Sequence, residues 1–102
     1  MRKRRDQIEA NLRLLEGRWT GLILLSLLKR QLRYGGVRAQ IPDITDRVLS
    51  KRLADLEDRG LIMRRSLSSR PPEVWYSLTK AGRGLKPVFT AIRRWRAPQP
   101  GK

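Results

Sequence analysis

The sequence predicts a mainly α, α+β domain: short helices around one core, with a two-stranded β-hairpin set before a closing helix. Three observations predict it. The run Leu22–Leu28 is apolar nearly all round, as a buried central helix should be. Leucines 49, 53 and 56 repeat at i, i+4 and i+7 behind a capping threonine. Two strand-like runs then follow, joined by a Ser-, Arg- and Pro-rich loop. A length of 102 residues suits one domain, expected over residues 6–96, with a basic tail at 1–5 and a second tail at 97–102.

The elements follow in order. Asp6 can cap a short first helix whose apolar positions are Ile8, Leu12 and Leu15, and Gly17 suits its end. The central helix is expected from about Thr20 to Lys29, with Trp19 at its start as a core anchor or, alternatively, a stacking surface for a ligand. Residues 35–41 allow two readings. Val37 and Ile41 keep helical spacing up to Pro42, whereas Gly35 and Gly36 each weaken a helix by up to ~1 kcal/mol and would suit a mobile loop.

Thr45 caps the next helix, Asp46 lies in its first turn where the helix dipole favours negative charge, and Gly60 ends it. Leu61–Leu67 and Val74–Leu78 read as paired strands around the loop 68–72, with Trp75 and Tyr76 on opposite faces. Thr79 caps the closing helix, which Gly82, Gly84 and Pro87 should kink or divide. Leu85, Val88, Phe89, Ile92 and Trp95 form one apolar stripe on it, large for the edge of a small domain. A second copy of the chain or the monomer's own core could cover that stripe.

Charge narrows the function classes. Lys and Arg number 24 against nine Asp and Glu, giving a formal charge of +15. Such an excess favours polyanionic partners, chiefly nucleic acid and less often anionic lipid. The chain has no Cys and no His, which excludes disulfides, thiol sensing, and Cys or His catalysis. No metal set, Gly-rich phosphate loop or paired catalytic carboxylates stand out, so neither an enzyme nor a cofactor is expected. Leu22–Leu28, interrupted by Ser26, falls far short of a ~20-residue membrane span, and Arg2–Arg5 runs into Asp6 and Glu9 rather than an apolar segment. A soluble cytoplasmic, nucleoid-associated protein is the expectation.

The helix at 45–59 turns Arg47, Ser50, Lys51 and Ala54 away from its leucine face. Such small-to-basic side chains suit a helix in the DNA major groove, although the same pattern also fits a plain amphipathic surface helix. Asp55, Glu57 and Asp58 would be repelled by DNA, so the N-terminal half should face the duplex. The hairpin carries Arg64, Arg65, Ser68, Ser69 and Arg70, which could hold phosphates or reach a minor groove, or simply sit in solvent.

This order of elements resembles a winged helix-turn-helix, and more closely the HxlR family of bacterial and archaeal regulators. The matching residues include Gly17-Arg18-Trp19-Thr20, Leu27-Leu28, Arg33-Tyr34 and Ile41-Pro42-Asp43-Ile44-Thr45. They continue through residues 49–62 and 71–88, so the likeness spans about residues 15–96. It implies a homodimeric transcriptional regulator of double-stranded DNA. The groove-facing set it implies is Thr45, Asp46, Arg47, Ser50 and Lys51, with Arg64, Arg65, Ser68, Ser69 and Arg70 on the wing. Terminal helices would form the dimer through Ile8, Leu12, Leu15, Val88, Phe89, Ile92 and Trp95.

Three departures stand out. The cysteine that many members carry before the first core helix is absent, so a thiol sensor does not carry over; any small-molecule effector is unknown. Gly35 and Gly36 replace better helix formers, and Trp75 stands where relatives often have an acidic residue. Two other readings remain open. One is an architectural, chromatin-like binder of DNA with little sequence preference. The other is a protein- or RNA-binding adaptor; RNA binding would call for exposed aromatics interleaved with basic residues on a sheet, a pattern not evident in the sequence.

Overall fold

Six helices and three short strands order the chain from Arg2 to Gly101, the residues described by the computed structural model. Helix α1 spans Arg2–Arg13, so residues 2–5, expected as a tail, form its first turn. Asp6 sits inside the helix rather than capping it. The reason is local: Arg and Lys are good helix formers, and Glu9 pairs with Arg5 at 3.1 Å and with Arg13 at 3.9 Å, both at i,i+4 spacing. No residue of α1 is buried.

A turn follows through Glu16, and α2 (Thr20–Leu28) forms the centre of the core. Its Ile23 and Leu24 are inaccessible to solvent. The start is tightly specified. Trp19 adopts the left-handed region at φ 76°, the Arg18 guanidinium lies 4.6 Å from its ring centroid, and the ring packs on the core edge. Buried Thr20 donates its hydroxyl to the Glu16 carbonyl at 2.9 Å.

Leu32–Arg33 forms β1, a two-residue strand too short to announce itself by alternation. Next comes α3 (Tyr34–Gln40), an ordered helix despite its two glycines. Gly36 has a packing reason: a Cβ there would come within 3.2 Å of the Leu32 side chain. Val37 is fully buried beside it.

Helix α4 spans Asp46–Asp58. Thr45 caps it, its hydroxyl accepting from the Val48 N–H at 3.2 Å, and Gly60 at φ 77° follows its end. Leu49, Leu53 and Leu56 are all buried in the core, as their spacing predicts, and α4 lies against β2.

Strands β2 (Ile62–Leu67) and β3 (Glu73–Leu78) form the hairpin, and β1 adds to the far edge of β3, so the antiparallel sheet has the order β1-β3-β2. Tyr76 points into the core and Trp75 away from it. The hairpin tip, 68–72, contains a cis Arg70–Pro71 bond.

The closing segment is divided, as its glycines and proline suggest: α5 (Lys80–Arg83), capped by Thr79, and α6 (Lys86–Arg94), with Pro87 in its first turn. Gly82 allows the junction to close on the hairpin base, since a Cβ there would lie 2.2 Å from the Leu61 carbonyl oxygen. The apolar stripe splits between two roles. Phe89 is buried in the monomer core, against the expectation that it serves a subunit contact, and Leu15 is half-buried against the same core. Ile8, Leu12, Val88, Ile92 and Trp95 are exposed, and Trp95 lies just past the helix in extended backbone.

Among the described residues no buried side-chain polar atom lacks a partner, and no helix is long and apolar enough to cross a membrane. The radius of gyration is 15.3 Å, above the ~13 Å of a compact domain this size, consistent with an α1 that buries no residue and an exposed segment after α6.

Candidate nucleic-acid interface

The leucine face of α4 is committed to the core, so its opposite side is fixed toward solvent. That side presents Thr45, Asp46, Arg47, Ser50 and Lys51, all exposed. They are not equally free. The Asp46 carboxylate accepts from the Tyr34 hydroxyl at 2.9 Å and pairs with the Arg38 Nε at 2.9 Å. Tyr34 also reaches the Asp46 carbonyl at 3.2 Å, and the Ser50 hydroxyl donates to the Tyr34 oxygen at 3.5 Å. Arg38 donates in addition to the Ile44 carbonyl. Asp46 thus ties α3 to the N-terminus of α4, and Tyr34 and Arg38 join this surface although no spacing in the sequence linked them to it. Thr45 uses its hydroxyl as the helix cap.

Arg47 has no acidic partner within 4.0 Å among the described residues, in contrast to Lys51, whose Nζ lies 3.3 Å from Asp55. Arg52 also pairs with Asp55, at 3.1 Å, and donates to the Arg18 carbonyl, while Arg59 donates to the carbonyls of Leu14 and Glu16. These two arginines brace α4 against the turn before α2.

The Lys51 hydrogen bond, then the Lys51 charge and Arg52, hold the Asp55 carboxyl below the usual carboxylate range, with slight burial opposing them. A depressed acid contributes stability above its unfolded value and loses it as pH falls through the folded one. The contribution is therefore present at neutral pH and lost only in acid solution, and it is small because Lys51 and much of the cluster are open to solvent.

The hairpin divides its basic residues between two faces. In the register, Arg64 lies opposite Tyr76 and Arg65 opposite Trp75. Arg64 therefore shares the side of Ile62, which packs toward α4, whereas Arg65 points the other way. Ser68 and Arg70 are exposed at the tip, and the half-buried Ser69 spends its hydroxyl on the Pro71 carbonyl at 2.7 Å.

On the outer sheet face Trp75 stands between Arg33 and Arg65 across three strands, an aromatic–basic row that the sequence did not reveal because β1 was not foreseen. It is not an open stacking platform. The Arg33 guanidinium sits 5.4 Å from the indole centroid, the indole N–H donates to Glu73 at 3.1 Å, and Glu73 pairs with Arg33 at 3.3 Å.

No group of three or more potential metal ligands occurs among the described residues. The surface offers instead what duplex recognition needs: an exposed helix face with one free arginine, and a basic hairpin beside it.

Known proteins carry the same arrangement. The model of the HxlR-like helix-turn-helix family matches residues 14–100. The Bacillus subtilis HTH-type transcriptional regulator YdeP is 38% identical over 88 residues, which cover 86% of this chain and 69% of that protein. Among solved structures, the redox regulator HypR in its oxidized form superimposes with a TM-score of 0.82 at 32% identity, covering 87% of this chain and 92% of its own. The reduced form of the transcriptional regulator YodB from B. subtilis gives 0.81 at 33% identity, with coverages of 94% and 96%. Shared sequence over most of its length and a shared winged-helix architecture place the chain in the HxlR-like helix-turn-helix family.

Proposed function

We propose that the chain is a transcriptional regulator that binds double-stranded DNA as a homodimer, reading sequence with α4 and gripping flanking backbone with the hairpin. One observation carries this reading above the rest. The buried leucines fix α4 so that Arg47, Ser50 and Lys51 stand exposed together on its free side. A long donor such as arginine meets guanine edges bidentately, and each good pair discriminates by ~1–3 kcal/mol. The similarity to HTH-type transcriptional regulators supports the assignment. The site of action is the nucleoid, and hence the cytoplasm.

The dimer follows from unfilled apolar surface at both ends of the chain. Ile8 and Leu12 on α1, and Val88, Ile92 and Trp95 on or beside α6, are exposed by 42–68%. A two-fold dimer lets the same surfaces meet in self-complementary fashion. Its two copies of α4 then read a roughly palindromic operator, with half-sites ~34 Å apart or a multiple of that.

Selection of duplexes from a random pool at two salt concentrations tests the reading. A preferred, two-fold symmetric sequence is expected at both; retention by charge alone, with no preferred sequence, would refute it. Phosphate contacts are checked separately. If a dimer neutralises about eight phosphates, log K falls with log salt at a slope near −7. Arg70→Ala is expected to weaken all sequences alike and to flatten that slope by roughly 2 units, one contact per subunit. An unchanged slope would remove the hairpin tip from the interface.

A further inference from the structure

We propose that the cleft between α2, β1, the end of α3 and α6 is a binding site for a small organic monoanion with an apolar body, and that its occupancy biases the seating of α4. The cleft is half open to solvent and offers about 570 Å³, a volume within the range of small-molecule sites. Leu22, Leu25, Leu32 and Ile41 form its apolar part, while Lys29, Arg30 and Arg93 bring three cations to it. None of the three has an acidic partner within 4.0 Å among the described residues. Three like charges around one cleft repel one another, and a bound carboxylate relieves that repulsion.

Two other occupants fit less well. A DNA phosphate answers the charge but leaves the leucine and isoleucine surface wet. The α1 helix of a second copy answers the apolar surface but opposes the charge. Its first turn is Arg2-Lys3-Arg4-Arg5, and Glu9 is already shared between Arg5 and Arg13.

The cleft also touches the joint that places the reading helix. Ile41 immediately follows α3, and its carbonyl accepts from the Ile44 N–H at 3.2 Å. Arg38 then links Ile44 to Asp46, the first residue of α4. A ligand pressing on Ile41 acts one hydrogen-bonded turn from the cap of α4. This second half of the proposal rests on the DNA-binding reading above; the binding step does not.

The test uses the full chain with 1-naphthoate and its uncharged amide as probes, followed by calorimetric titration and by backbone amide shifts in the nitrogen-15 labelled protein. The carboxylate is expected to bind at least about tenfold more tightly than the amide. Its shifts should cluster at residues 25–32, at Gln40 and Ile41, and around Arg93. The variant Lys29→Gln/Arg30→Gln/Arg93→Gln should keep its melting temperature and lose the preference. Equal binding of the two probes, shifts centred on α1 or on α4, or a preference that survives in the triple variant would each overturn the site.

Naphthoate should also change affinity for the selected duplex at least threefold, against an unchanged response in the triple variant. A bound probe with no such effect overturns the coupling. A flattened salt slope in the triple variant would assign these cations to DNA instead. A chain that binds no duplex at all would refute the DNA reading while leaving the naphthoate result to stand alone.

Discussion

Replacing Ile92 with Asp is expected to split the dimer and to lower affinity for a two-half-site operator by roughly 10²–10⁴, the avidity that joining two reading units provides. Ile92 is 54% exposed on α6, so a charge there costs the monomer little. In a subunit contact the same carboxylate would be buried without a partner, which interfaces do not tolerate. Phe89, one helical turn back on α6, is the contrasting position: at 7% exposure it belongs to the monomer core, and Phe89→Asp should unfold the chain rather than separate its copies. Light scattering and duplex titration of Ile92→Asp check the prediction. A variant that stays dimeric and binds with full affinity would move the contact elsewhere.

The second large effect concerns the backing of the reading helix. Leu53 is 2% exposed at the centre of the buried face of α4. Leu53→Ala is expected to cost 2–5 kcal/mol, roughly, through lost burial and the cavity left behind. That is a large share of the ~5–15 kcal/mol that holds a small domain folded. Denaturant unfolding measures it. Arg47→Ala, on the opposite side of the same helix, should shift stability by no more than ~0.5 kcal/mol. A small loss for Leu53→Ala would mean that the leucine face does not anchor α4.

Elements whose signal is local were legible in the sequence. The cap at Thr45, the leucine repeat behind it, the turn at Gly60 and the break at Gly82–Pro87 each depend on residues within one or two helical turns, and the structure has all of them. What was hidden depends on residues distant in the chain. Strand β1 exists only because β3 offers it a free edge some 40 residues on. Tyr34 reaches Asp46 across 12 positions, and only the α3–α4 angle brings them together.

Helix α3 was legible from Val37 and Ile41 in spite of its glycines, which left a mobile loop open as the alternative. Propensity counts the entropy they cost, whereas packing adds that a Cβ at Gly36 would crowd the Leu32 side chain at 3.2 Å. Helix α1 begins before its apparent cap at Asp6, where residues 2–5 are good helix formers and Arg5 reaches Glu9. On α6, periodicity marked one stripe but could not divide it. Phe89 turns to the core while Val88 and Ile92 remain outside.

Asp46 illustrates how packing changes the reading of a single residue. From its place in the first turn it qualifies for the groove-facing set. In the structure its carboxylate is shared between Tyr34 and Arg38, which leaves Arg47 as the basic side chain on this surface without an acidic neighbour. In the proposed reading, base discrimination therefore falls chiefly to Arg47, with Ser50 beside it.

The most direct measurement is the base preference of Arg47→Ala, obtained by duplex selection beside the wild-type chain. Preference should relax at one symmetry-related position in each half-site, by ~1–3 kcal/mol, while the preferences at other positions persist. Identical selected sequences from the two proteins would contradict the placement of this face of α4 in the major groove.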